Sequence, residues 1–247
     1  MALFDLFKGK AAPADLSVLK TDIHSHFIPG IDDGSRSIEN SLELLMGMES
    51  LGYQKVITTP HVMSDSYRNT PEIILGGLEK VREAITKAGM KIQIDAAAEY
   101  YLDYELEKKI KDKIILTFGG DKKYMLWEMS FINPPDNMNQ AVFEMQMTGY
   151  KPVLAHVERY NFWHKDYSKY EELVSRGILL QMNINSLTGH YSEATKKAAH
   201  WLIDRNMISF LGSDCHHTGH IDLMHHVLTD KYLHKLLVSG KLLNPTL

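Results

Sequence analysis

Cysteine is nearly absent from this chain. Cys215 is the only one among 247 residues, which excludes an internal disulfide framework. No apolar run approaches the length of a membrane span. The first residues, MALFDLFKGKAAPADL, lack the basic start and unbroken apolar stretch of a signal peptide, so a cytoplasmic location is expected. Neither sign of charge dominates. Lys and Arg number 27 against 31 Asp and Glu, a formal net charge of −4 that gives no footing for nucleic-acid binding. No low-complexity stretch or Pro/Gly-rich linker divides the chain. Its length and its 44% hydrophobic content suit one sizeable domain, expected over residues 21–247. Residues 1–20 are expected to form an N-terminal extension packed on or near it, because Leu and Phe alternate with polar residues there.

What recurs along the chain is a strand followed by a helix. Strand candidates span 18–24, 53–59, 91–98, 124–128, 152–156, 178–184 and 207–213. Helical patterns follow at about 37–51, 71–88, 102–110, 137–149, 167–176, 192–205 and 222–238. Ser37 is a candidate N-cap, and the Leu and Met residues after it recur at helical spacing. Thr70-Pro71 opens the second helix and Gly89 closes it, the usual asymmetry of helix ends. Seven such units predict an α/β protein with a parallel sheet buried on both faces. We expect a distorted seven-stranded (β/α)7 barrel of TIM-like type. An open doubly wound sheet is the alternative, but its strand ends form a line and do not converge on one mouth.

Metal-ligand residue types stand at six of these strand ends, in LKTDIHSH, YQKVITTPH, KIQIDAAAE, YMLWE, PVLAH and MISFLGSDCH. Together with an acid in the loop PGIDDGS they supply His24, His26, Asp33, His61, Glu99, Glu128, His156, Asp214 and His216. His24 and His26 are two apart, which puts both rings on one face of a strand. Asp214 and His216 repeat that spacing late in the chain, after Gly212, where backbone and metal could approach closely. Glu128 sits among bulky apolar residues, where an unpaired carboxylate would be costly to bury. Asp33 taken alone reads as a turn aspartate, with Asp32 its rival. Each of these residues by itself has an ordinary structural explanation. A barrel that brings nine to one mouth could hold more than one metal ion.

In order, H-x-H, D-D-G, T-P-H, A-E-Y, W-E, L-A-H-x-E-R-Y and G-S-D-x-H resemble the polymerase and histidinol phosphatase (PHP) superfamily. DIHSHFIPGIDDGSRSIENSL, ITTPHV and LAHVERY are similar, more narrowly, to its bacterial manganese-dependent protein-tyrosine phosphatases of capsule and exopolysaccharide loci. The resemblance runs from Thr21 to beyond His216. It implies a PHP barrel and three divalent ions, Mn²⁺ foremost, with Fe²⁺ and Zn²⁺ as alternatives. By that likeness His24, His26, Glu128 and Asp214 hold one ion, Glu128 and His156 a second, and Asp33, His61, Glu99 and His216 the third. It also implies a role for Arg159 beside the substrate phosphate, and a partner in a bacterial tyrosine kinase with a C-terminal tyrosine cluster. Two departures stand out. Val157 replaces the family's usual proline, and no arginine follows Asp214-x-His216. His217, His220, Arg36 and Arg68 are the candidates to supply the missing positive charge.

Three divalent ions, four carboxylates and a hydroxide leave such a site about one unit positive, suited to a phosphate monoester. The expected reaction is attack of a metal-bound hydroxide on phosphorus. The alternatives are a PHP-type phosphatase of a small molecule such as histidinol phosphate, and a non-catalytic metal-stabilised binder of tyrosine-rich tails. A cysteine-based phosphatase is excluded, because Ile221 stands where its loop needs an arginine, six residues after Cys215. Cys215→Ser is therefore expected to keep most phosphatase activity on a phosphotyrosine peptide while His156→Ala loses it. A dead Cys215→Ser enzyme would overturn the metal-based reading.

Overall fold

The computed structural model describes residues 12–247. Its strands are short: β1 Thr21–Asp22, β2 Lys55–Thr58, β3 His61–Val62, β4 Gln93–Ala96, β5 Glu99–Tyr101, β6 Tyr124–Glu128, β7 Lys151–Leu154, β8 Leu179–Asn183 and β9 Ile208–Gly212. They form a three-stranded sheet, β1-β2-β4, and a six-stranded sheet, β3-β5-β6-β7-β8-β9. Every pairing between these strands is parallel. The helices are α1 Ile38–Ser50, α2 Pro71–Ala88, α3 Leu106–Lys111, α4 Met138–Met147, α5 Ser168–Ser175, α6 Glu193–Asp204, α7 Thr218–Val227 and α8 Lys231–Leu237. This is the α/β fold with parallel sheets that the strand–helix alternation predicts. None of the helices described is long and apolar enough to cross a membrane.

The nine strands lie on seven stretches of chain, since only Thr59-Pro60 separates β2 from β3 and Ala97-Ala98 separates β4 from β5. These interruptions pass the chain from one sheet to the other. The first and last stretches also meet. Ser25 bridges Cys215 in parallel fashion, His26 N donates to Cys215 O (3.0 Å), and Asp214 N donates to His24 O (2.7 Å).

Both faces of the strands are covered, which is why they read as apolar without alternation. In β6, Met125 and Trp127 join the large core under the helices. Leu126 joins a smaller one with Ile23, Ile57, Val153, Phe210, Phe118 and Tyr124. The helix signals act as expected. The Ser37 side chain accepts from Asn40 N, and α1 buries Ser41, Leu44, Leu45 and Met48 on one stripe. Thr70 caps α2, and Gly89 ends it in the left-handed region at φ 66°.

Three expected elements differ. The strand expected over 18–24 is a 3-10 turn at Leu16–Leu19, capped by Asp15, followed by only two strand residues. Leu16 and Leu19 are buried, and Ala14 N donates to Leu228 O (2.7 Å), so residues 14–19 pack against the body. The rest of the expected extension, residues 1–11, lies outside the described residues. The helix expected from 102 begins at Leu106, because the Asp103 carboxylate holds Glu105 N and Leu106 N. The single helix expected over 222–238 is α7 and α8, split where Asp230 caps the second through Tyr232 N and Leu233 N.

Leu44 is fully buried on α1 and Met46, two residues on, is 53% exposed. Leu44→Ala should lower stability by about 2–5 kcal/mol in urea unfolding, and Met46→Ala by less than about 0.5 kcal/mol. Equal losses would contradict this placement of the helix.

Candidate metal centre

Parallel pairing delivers the nine sequence-selected donors to one end of the sheets. His61 and Glu99 are the first residues of β3 and β5 and stand directly opposite each other. Glu128 is the last residue of β6, while His156 and Asp214 lie two residues beyond β7 and β9. Both are held in the left-handed region, His156 at φ 34° and Asp214 at φ 49°, a strained backbone for residues with a Cβ. Gly212 has a local reason for its missing side chain. An added Cβ would lie 2.8 Å from His24 Cβ and 2.7 Å from Gln181 Nε2, so the glycine makes room for protein groups.

Glu99 is the hub. Its Oε2 lies 3.2 Å from His24 Nε2, 3.7 Å from His26 Nε2 and 3.1 Å from His61 Nδ1. Its Oε1 lies 2.9 Å from His156 Nε2. Asp214 Oδ1 is 3.5 Å from the Nε2 atoms of both His24 and His26. Glu128 reaches His61 (3.1 Å) and His156 (3.6 Å), and Asp33 reaches His61 (3.5 Å) and His216 (3.4 Å). His24, His26 and Glu99 are fully buried, His156 and Asp214 nearly so, and Asp33 is exposed at the rim.

This arrangement fits divalent cations. His24 Nε2, His26 Nε2, His61 Nδ1 and Glu99 Oε2 are buried with no hydrogen-bond partner, although they lie close to one another. Donor atoms about 2.1 Å from a shared ion stand about 3.0–3.4 Å apart, close to most of the spacings above. Among the described residues, four overlapping groups of three or more donors could each hold an ion: His26, Asp33, His61 and His216; His24, His26 and Glu99; His24, His156 and Asp214; and His61, Glu99 and Glu128. The grouping differs from the one the resemblance implies. Glu99, and not Glu128, lies between His24 and His26, while Glu128 faces His61 and His156. The order of strand ends in the chain does not say which end reaches deepest.

Charge explains the protonation of the cluster without ions. Burial lowers the pKa of His24 and His61, but the carboxylates overcome it, Glu99 foremost. His24 rises to about 10 and His61 to about 12. Burial raises Glu99 and Asp214, yet the imidazoles hold both well below the usual carboxylate range. A hydrogen bond from His216 takes Asp33 down to about 2. Burial pushes the Cys215 thiol well up, with Asp22 and Asp214 adding to it, so it is no nucleophile.

A cavity of about 410 Å³ opens above the cluster, lined by Arg159, Phe131, Tyr191, His217 and His220 together with the outer donors. Arg159 Nη1 donates to Asp214 Oδ2 (3.0 Å), and its guanidinium lies over Phe131 (4.7 Å) and Tyr191 (4.2 Å). The proposed replacements for the missing arginine fare differently. Arg36 and Arg68 are exposed and do not line the cavity, and Arg68 Nε instead donates to Ser64 O. His217 and His220 do line it, but burial lowers both, His220 to about 4, so neither adds positive charge at neutral pH. Asp32 and Asp33 divide the work. Asp33 faces the donor cluster, whereas Asp32 accepts from His26 Nδ1 (2.7 Å), Gly34 N (3.0 Å) and His61 N (3.2 Å). Sequence reasoning missed Gln181 and Asn183, buried amides on β8 that touch His24, His156 and Asp214. Their signal was faint: two polar residues at alternate positions in an otherwise apolar strand.

Imidazoles and carboxylates gathered at the ends of parallel strands, beneath a cavity with one arginine, form a site of the metallohydrolase class. The family model for capsular polysaccharide synthesis, CpsB/CapC, matches residues 20–231, and the chain belongs to that family. The tyrosine-protein phosphatase YwqE of Bacillus subtilis is 29% identical over 195 residues, 79% of this chain and 76% of that one. The putative tyrosine-protein phosphatase CapC of Staphylococcus aureus is 30% identical over 197 residues, covering 79% and 76%. A solved structure from work on YwqE of Bacillus subtilis and CpsB of Streptococcus pneumoniae, described as unique metal-dependent tyrosine phosphatases, superimposes with a TM-score of 0.76. It is 26% identical and covers 87% of this chain and 94% of that one.

Because His24 and His61 hold protons when no ion is present, metal binding should release protons and tighten as pH rises. Calorimetric titration with Zn²⁺ at pH 7 in two buffers of different ionisation enthalpy checks this. Proton uptake, or affinity that falls with rising pH, would contradict it.

Proposed function

We propose that this chain is a metal-dependent phosphomonoesterase that removes phosphate from phosphotyrosine on protein substrates. The observation that carries the reading is Arg159, a fixed cation on the wall of a cavity whose floor is the His/Asp/Glu cluster. Family membership supports it, as do the activities of YwqE and CpsB. We further propose that the nine donors bind three ions, with Mn²⁺ as the native metal, and that the protein acts in the cytoplasm. The partner would be a tyrosine kinase carrying a cluster of C-terminal tyrosines. The two sheets, joined through the Ser25–Cys215 bridge, are then one distorted seven-stranded barrel forming a single domain.

The residues divide the task. Ions of this kind supply Lewis acidity and lower the pKa of bound water from 15.7 toward about 7. His24, His26, Glu99 and Asp214 would hold the deepest position, with Glu128, His156, His61, Asp33 and His216 nearer the mouth. Asp32 accepts a hydrogen bond from the Nδ1–H of His26 and so leaves its Nε2 facing the cluster. Arg159 offers a planar pair of donors to the phosphate oxygens, and its stacking on Phe131 and Tyr191 keeps the guanidinium from swinging into solvent. A tyrosyl leaving group, with a pKa of about 10, needs less protonation than an alkoxide. The site accordingly needs no strong general acid, and lowered His217 and His220 are poor candidates for one.

Protein stripped with chelator should release phosphate from a phosphotyrosine peptide when Mn²⁺ is restored, and should prefer that peptide to histidinol phosphate. Arg159→Lys should reduce kcat/KM on the peptide about 10- to 100-fold, the worth of a charged hydrogen bond. Turnover of histidinol phosphate alone would move the assignment to a small-molecule phosphatase. Metal-replete protein without any turnover would sink the enzymatic reading.

A further inference from the structure

Strand β8 carries none of the nine donors, yet it runs beneath the centre and points two fully buried amides into it, Gln181 and Asn183. Two features of the fold serve this placement. The β8–β9 register shifts between Leu180 and Gln181, where Ser209 of β9 is the extra residue, and this decides which β9 residues stand opposite Gln181 and Asn183. Gly212 of β9, paired with Asn183, leaves the space that the Gln181 amide fills.

The hydrogen bonds of these amides are fixed from both ends. A backbone N–H can only donate, and His156 N donates to Gln181 Oε1 at 2.7 Å. The oxygen of Gln181 therefore faces His156, and its nitrogen faces Asn183 Oδ1 at 2.8 Å. Asn183 Nδ2 then faces Asp214 Oδ2 at 2.7 Å, a carboxylate that accepts. No amide in this chain of bonds can flip without setting donor against donor or acceptor against acceptor.

The same Gln181 Oε1 lies 3.0 Å from His24 Nδ1. An amide oxygen cannot donate, so the ring nitrogen must carry the hydrogen. In neutral His24 the hydrogen sits on Nδ1, and the Nε2 lone pair points at Glu99 Oε2 (3.2 Å) and Asp214 Oδ1 (3.5 Å). A bare lone pair facing two carboxylate oxygens is repelled, so Nε2 at this place takes either a second ring proton or a metal cation. Gln181 also grips the backbone of His156, which is held at φ 34°. One oxygen thus fixes the tautomer of one donor and the strained main chain of another.

We propose that Gln181 is the positioning residue of the centre: it sets His24 in the tautomer that exposes Nε2 to the metal and locks His156 in its left-handed turn. The inference rests on reading the cluster as a metal centre, and its test needs no substrate. Gln181→Met keeps the length of the side chain and removes the acceptor. Gln181→Glu keeps both acceptor contacts and, protonated on its other oxygen in this buried place, also the donor to Asn183 Oδ1.

Zn²⁺ affinity and stoichiometry, measured by calorimetry and elemental analysis, should fall in Gln181→Met. The expected loss is about 10- to 100-fold in affinity, as for other residues that orient metal ligands. Gln181→Glu should bind closer to the wild type than to Gln181→Met. Nitrogen-15 spectra of the histidine rings in Zn²⁺-loaded wild type should show His24 protonated at Nδ1, a signature that mere packing would not produce. Urea unfolding of the stripped proteins separates stability from metal binding. If Gln181→Met fails to fold, Gln181→Glu and the wild-type ring spectrum decide. Zn²⁺ binding by Gln181→Met equal to wild type overturns the proposal, as does equal loss in both variants or a proton on His24 Nε2. A metal-replete wild type inactive on every phosphoester would defeat the proposed function and leave this assignment standing.

Discussion

Glu99 bears its charge where no water reaches it. The carboxylate is fully buried and within 3.7 Å of ring nitrogens from four histidines. A buried carboxylate without compensation is among the most costly groups a protein can hold. Imidazolium protons can compensate it, and so can divalent cations, but apolar packing cannot. The small residues Ala97 and Ala98 before it, the parallel pairing with His61 and the approach of His24 through Gly212 all bring positive charge or its ligands toward this one group.

From that constraint the layout of the mouth follows. Donors near Glu99 are deep and locked by polar partners: His24 by Gln181 and His26 by Asp32. Donors farther out are more exposed, with Asp33 at the rim. Arg159 is tied to Asp214 and lies over the rings of Phe131 and Tyr191, so this arginine of the cavity lining is oriented before any substrate arrives. Preorganised charge of this kind needs little rearrangement when it meets an anion. The strained backbones of His156 and Asp214 belong to the same arrangement, since His156 N donates to Gln181 and Asp214 accepts from Asn183, both on β8.

Much of this was legible along the chain. Helix ends were written in Ser37, Thr70-Pro71 and Gly89, because capping is a local matter of a few consecutive residues. Eight of the nine candidate donors were legible because they stand at or just beyond the ends of apolar runs that read as buried strands, where a polar residue must have a reason to be; Asp33, in a glycine-rich loop, carried no such signal. The search for a cation to replace the missing arginine fared less well with Arg36 and Arg68. Both sit in the right loops, but a long side chain on a loop can point either way, and these two lie outside the cavity.

The chain by itself determined the alternation of strand and helix and offered the nine candidate donors, since periodicity, caps and residue chemistry act over a few neighbouring positions. Only the tertiary structure decided which donor sits next to which. Glu99 took the place beside His24 and His26 that the resemblance assigned to Glu128 because depth along a strand depends on register, bulges and interruptions such as Thr59-Pro60 and Ala97-Ala98. It also decided the part played by Gln181, whose contacts lie 157 and 25 positions away in sequence. Such contacts depend on how strands pack side by side, which no short stretch of sequence encodes.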